Sequence, residues 1–254
     1  MNIGDIEYPS LKGRVSQTEW TTRVELAAVF RTHHLSGWSD LLQAGASARI
    51  PGEPHYLFAP AGCVWDEITA SSLVKITLDG KVVADTPFEI IRDFWYPMQA
   101  VHAARPDANF VIHSHNAYAV ALTARKEDLL PISQAAAVSL ATKVAVLEKY
   151  EGVETYEAAM PGLQRALGDA HALILRNHGA LVVGGTAFEA ILRMDQLLEA
   201  CRVQVLAGRA SELIRMTPEV AATFPYEMKR AEPYPTQWLG MLRRLDRIDP
   251  SYRE

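Results

Sequence analysis

Only two cysteines, Cys63 and Cys201, occur in the 254 residues, and they stand far apart. That is too few for a disulfide framework, so a small stapled secreted scaffold is excluded and a reducing, cytoplasmic setting is expected. No uninterrupted apolar run is long enough to span a bilayer, and no basic start leads into an apolar stretch, so no membrane role is expected. Positive charge is also in short supply. The 25 Lys and Arg against 30 Asp and Glu leave a formal charge of −5, without the clustering that a nucleic-acid groove needs. Repeats, low-complexity tracts and linkers are missing too, which leaves one domain over residues 1–254 as the economical reading. What is present is an ordinary globular balance, 49% apolar and 22% charged, enough for one large core.

The opening MNIGDIEYPSLKGR, with a Pro and two Gly, reads as an N-terminal arm over residues 1–15. From Ser16 the pattern S-x-x-E, followed by apolar residues at helical spacing, predicts a capped amphipathic helix ending near His33 or His34. The stretch from Gly37 to Val83 reads as strands broken by Gly and Pro turns, with an Asp79–Gly80 hairpin. A loop then leads into a helix predicted from around Pro97 to Ala104, with the proline in its first turn. Further on, KVAVLEKY predicts a strand, EAAMPGLQRALGD a helix ended by Gly168, and TAFEAILRMDQLLEACRVQVLAG a helix bounded by Gly185 and Gly208. Residues 233–254 read as a C-terminal tail.

Chemistry concentrates in RPDANFVIHSHNAYAV, Arg105 to Val120. His113 and His115 end the apolar run Ala108 to Ile112, and alternation along a strand puts residues two apart on one face. His178 follows a second apolar run, Ala172 to Leu175, in LILRNHGALVV. Three imidazoles from two strand ends make a facial set of nitrogen ligands with coordination positions left for water or substrate, which is what a catalytic metal needs. His102 sits in the preceding helix, where packing or orientation of a neighbour outweighs ligation.

Together RPDANFVIHSH and RNHGALVVGGTAFEAI closely resemble the class II aldolase/adducin family, and the resemblance extends over most of the chain, nearest to its bacterial adducin-like aldolase branch. It implies an α/β fold, a three-layer αβα sandwich around a mixed, mostly antiparallel sheet. It also implies a divalent metal on His113, His115 and His178, zinc first, with manganese, cobalt or iron as alternatives, and a homo-oligomer, a tetramer in that family. In AGASARIPG, Ser47 and Arg49 match a family motif, while Gly45 replaces its polar Asn or His; in FAPAG, Gly62 is kept but Ala61 lacks the usual hydroxyl. Those losses remove donors that a phosphate would need. The family's general-acid/base Glu lies eleven residues before Arg105, where this chain has Phe94, and Met98 stands where related bacterial members carry His. Arg92 is a candidate for holding a substrate carboxylate and Phe94 and Trp95, in an aromatic run with Tyr96, for flanking a flat or apolar substrate. Tyr252 is the candidate for a tyrosine reaching the reaction from an adjacent subunit, with Arg49 as the other catalytic candidate.

These features predict a metal-dependent carbon–carbon lyase, an aldolase or decarboxylase, acting on a small non-phosphorylated oxo- or hydroxy-acid with the metal stabilising an enolate. Decarboxylation of an anion needs no base to remove a hydroxyl proton, so the Phe94 replacement shifts weight toward it or toward a promiscuous aldolase. Two other readings stand beside this one: a non-haem Fe(II) oxygenase of an aromatic acid using the same histidines, and a non-catalytic adducin-like binding module.

Overall fold

In the computed structural model the described residues are 7–39, 41, 44–83, 85–149, 156–224 and 236–254. The first six residues of the arm and residues 233–235 of the tail lie outside them. The strands β1 (Gly45–Arg49), β2 (His55–Phe58), β3 (Val74–Thr77), β4 (Phe110–Ser114), β5 (Val144–Leu147), β6 (Ala172–Leu175) and β7 (Gly179–Gly184) form one sheet in the order β3-β2-β1-β4-β7-β6-β5. Every neighbouring pair is antiparallel except β5 with β6. The sheet is therefore mixed and mostly antiparallel, as the resemblance implied.

Both faces of the sheet are covered, and the alternation along β4 shows how. Phe110 and Ile112 pack with α1 (Gln17–Leu35), α3 (Ala117–Thr123), α4 (Gln134–Ala141), α6 (Ala187–Ala207) and α8 (Thr236–Ile248). Val111 packs on the other side with α2 (Arg92–Ala104) and α5 (Tyr156–Leu167). His113 shares the parity of Val111 and faces α2 and α5, whereas Ser114 faces α1, where its hydroxyl lies 3.3 Å from His33 Nε2. A four-residue helix, α7 (Pro218–Ala221), completes the described helices.

Local signals account for most boundaries. Ser16 caps α1 by accepting from the Glu19 N–H, Gly168 ends α5 at φ 49°, and Thr186 caps α6. One boundary differs from expectation. α2 begins at Arg92 rather than near Pro97, so the proline lies inside the helix. The reason is packing: Trp95, Met98 and Val101 recur at helical spacing and are fully buried, and that stripe outweighs one lost backbone hydrogen bond.

The described part of the tail closes on its own chain. Trp238 and Leu245 join the α1 side of the core, and Tyr252 is fully buried in a 3-10 turn, Pro250–Arg253. Arg31 clamps that turn through Asp249 at 2.8 Å and Ser251 at 3.0 Å. Cys63 and Cys201 are both free, and no described helix is long and apolar enough to cross a membrane.

Candidate metal centre

Three imidazoles meet at one end of the central strands. His113 is near the end of β4, His115 lies just past it, and His178 is in the tight turn between β6 and β7. One nitrogen from each ring can be chosen so that all three lie within 4.8 Å of one another, and His113 Nε2 and His115 Nε2 are 2.8 Å apart. The ring centroids stand 4.5 to 4.9 Å from each other. The structure thus brings His178 to the pair His113 and His115, from which the sequence separates it widely.

The local backbone makes this possible. Asn177 adopts a left-handed conformation, φ 54°, and the His178 N–H closes the turn onto the Leu175 carbonyl at 3.0 Å. Gly179 then passes so close to β4 that a Cβ there would overlap the Ser114 carbonyl oxygen and stand 3.1 Å from His115 Cδ2. Arg176 fastens the same turn to its surroundings through Glu148 at 3.0 Å and Asp128 at 2.6 Å.

The donor chemistry fits a divalent cation. His113 Nδ1 donates to the Ala180 carbonyl at 2.9 Å, which fixes the tautomer and turns the Nε2 lone pair toward the other two rings. Burial pushes the His113 value well below that of an ordinary imidazole, with His115 and His178 acting in the same direction. A ring held neutral in this way is in the state that ligation requires.

The remaining sequence candidates are distributed differently. Gly45 pairs with His113 across β1 and β4, so Ser47 and Arg49 share the face of His113 but lie two and four residues further along the strand. At about 3.3 Å per residue, Arg49 is roughly 13 Å removed from that level. Ser47 is fully buried at 2.9 Å from His102 Nε2, and Arg49 donates to the Tyr56 hydroxyl at 2.9 Å and the His102 carbonyl at 2.8 Å. Both secure the end of α2 and are not brought to the histidines.

Trp95 is fully buried and donates to the Leu78 carbonyl at 3.0 Å, which makes it a core residue and no wall for a substrate. Arg92 donates to the Asp79 carbonyl at 3.0 Å and so pins the hairpin. Tyr252 spends its hydroxyl on Asp246 at 2.9 Å and is buried on the α1 side of its own chain, so it is not brought to these histidines. Gly62 and Phe94 do meet, across a narrow cleft of about 20 Å³ lined also by Ala44, Ala61 and Ile91.

A cavity with a volume of about 320 Å³ opens beside His178. Leu147, Met160, Leu163 and Leu175 wall it, Tyr96 and Pro97 come from α2, and Lys149, Arg165 and Arg176 complete the lining, Arg176 with its charge already paired to Glu148 and Asp128. Apart from His178, and Tyr96 through its aromatic run with Phe94 and Trp95, sequence reasoning assigned none of these residues to the site. Their signal was present only as the apolar spacing of the β5 and α5 segments, which serves equally for an ordinary core.

Comparison with known proteins bears on this arrangement. The family model "Class II Aldolase and Adducin N-terminal domain" matches residues 24–205, a span that contains all three histidines. The chain is 42% identical to the "Putative aldolase class 2 protein" of Caulobacter vibrioides, covering 100% of each. The crystal structure of an aldolase II superfamily protein from Pseudomonas syringae superposes with a TM-score of 0.90 at 36% identity, covering 97% of this chain and 100% of that one. Alpha-adducin of Rattus norvegicus is 36% identical over 204 residues, which is 77% of this chain but 27% of the adducin.

Proposed function

Because the chain belongs to the class II aldolase and adducin family, we propose that it is a carbon–carbon lyase dependent on a divalent cation, acting on a small non-phosphorylated oxo- or hydroxy-acid. One observation carries the proposal: His113, His115 and His178 converge, with the far nitrogen of His113 already committed to Ala180. A cation held there, zinc in the first instance, supplies Lewis acidity toward an oxygen-rich acid. The protein's part is to present three neutral rings from two rigid strand ends, so that the cation keeps its charge for the substrate.

The surroundings favour an unphosphorylated acid. Gly45 brings no amide, Ala61 no hydroxyl, and Met98, buried beside Gly45, presents a methyl group at the position of a related histidine. A phosphate needs several converging donors, and these three positions offer none. With Phe94 in place of the family's carboxylate, breaking a bond to carbon dioxide makes the smaller demand, since no hydroxyl proton has to be removed. Tyr96, whose hydroxyl lies 3.5 Å from Glu157, is the titratable group of α2 that shares the cavity with His178. The family resemblance further supports a homo-oligomer as the working form.

The test is metal content followed by turnover. Protein purified without chelators should carry about one divalent ion per chain, and His113→Ala or His178→Ala should reduce that to near zero. Wild-type protein loaded with zinc, manganese or iron should release carbon dioxide from acids whose carboxylate is β to a carbonyl, where the electron pair passes into an enolate, or a second carbonyl product from 4-hydroxy-2-oxo acids. A folded wild-type chain that takes up no ion at micromolar free metal would defeat this reading. It would favour a binding module instead, a reading that the similarity to alpha-adducin supports.

A further inference from the structure

The cavity beside His178 says what kind of acid the site takes, and we infer that the substrate carries an apolar, ring-sized side chain housed between α2, β5 and α5. This rests on the lyase reading above, because the acid head has to sit at the histidines for its side chain to reach the cavity. His178 belongs to both the triad and the cavity wall, so the cavity borders the triad.

Size and polarity argue together. A volume of about 320 Å³ is at the lower end of ordinary ligand pockets and far exceeds what a pyruvate-sized head occupies. Leu147, Met160, Leu163, Leu175 and Pro97 give the space hydrocarbon walls. Sugar hydroxyls placed against those walls would lose water and gain no partner, which selects against polyhydroxylated chains. A second anionic group deep in the cavity is also disfavoured, because Arg176 is already neutralised by Glu148 and Asp128. Arg165 is exposed, so its charge lies at the opening, where it attracts an acid without holding its far end.

Unreactive isosteres test this on the full-length metal-loaded protein. Oxamate, N-benzyloxamate and N-(2,3-dihydroxypropyl)oxamate share the chelating head and differ only in the side chain. Calorimetry should find the benzyl compound at least roughly tenfold tighter than oxamate, the gain expected from burying one apolar ring, and the dihydroxypropyl compound no tighter. Met160→Trp, which fills the cavity, should bring the benzyl-to-oxamate affinity ratio down toward one. Ala158→Trp, at an exposed position of the lining, should do the same if the first variant fails to fold. Equal affinities for oxamate and its benzyl derivative, a preference for the dihydroxypropyl compound, or an unchanged ratio in a folded tryptophan variant would each overturn the inference. Metal content separates the two layers: with one ion per chain and oxamate bound, a ratio of one sinks only the side-chain assignment, whereas a chain with neither ion nor oxamate sinks the lyase reading and this inference with it.

Discussion

Gly179 carries no reactive group, yet it sets how near the two ligand-bearing segments come. A methyl group there would press on the Ser114 carbonyl and on the His115 ring, and both belong to the segment that aims the histidines. Gly179→Ala should therefore leave the fold intact by circular dichroism while weakening zinc binding by about 10- to 100-fold, the range typical of lost support around ligands. Wild-type affinity in a competition titration against a chelating dye would refute this. The same scale shows what the sequence could and could not disclose. Alternation placed His113 and His115 on one face, and a motif match put forward Ser47 and Arg49. Neither could say how far along the sheet they stand, since the pairing of Gly45 with His113 is a property of register, which no periodicity encodes.

Helices were legible where their ends carry chemistry. α6 runs from Thr186, whose hydroxyl accepts from the Glu189 N–H at 3.1 Å, while the Glu189 carboxylate accepts from the Gly185 N–H at 2.8 Å. Gly184, just before, packs so tightly that an added Cβ would lie 2.6 Å from the Ala190 nitrogen, and this anchors β7 against the helix that follows it. Thr186→Ala should cost about 1 kcal/mol in urea unfolding, with the metal content of the folded protein unchanged, because the cap is at the end of β7 remote from His178. A loss of metal in the folded variant would contradict that separation. α2 was misread at its start because its first turn has no side-chain cap and its proline imitates a beginning. The buried stripe of Trp95, Met98 and Val101 was the better signal, and it depends on knowing which face meets the sheet.

At the scale of the whole molecule, the three layers are tied together by polar groups buried between them, and these decide how the fold responds to acid. His102 on α2 donates from Nδ1 to the Ala108 carbonyl at 3.0 Å and accepts at Nε2 from the Ser47 hydroxyl at 2.9 Å, so the neutral ring is fully satisfied. Burial, reinforced by the charge of Arg49, pushes its pKa down to about 3 from an ordinary 6.5. Above pH 6.5 neither the folded nor the unfolded chain protonates this ring, so its contribution is complete. As pH falls from 6.5 toward 3, the unfolded chain takes up a proton that the folded chain refuses, and stability declines. The paired carboxylate of Asp107, held down to about 2, titrates lower, so the window from about pH 6.5 to 5 belongs to the buried histidines. Measured on metal-free protein, the free energy of unfolding should fall through that window in the wild type and fall less steeply in His102→Gln. Parallel slopes in the two proteins would mean that the ring takes up its proton without unfolding the molecule, and that the contact of α2 with β1 is looser than its hydrogen bonds imply.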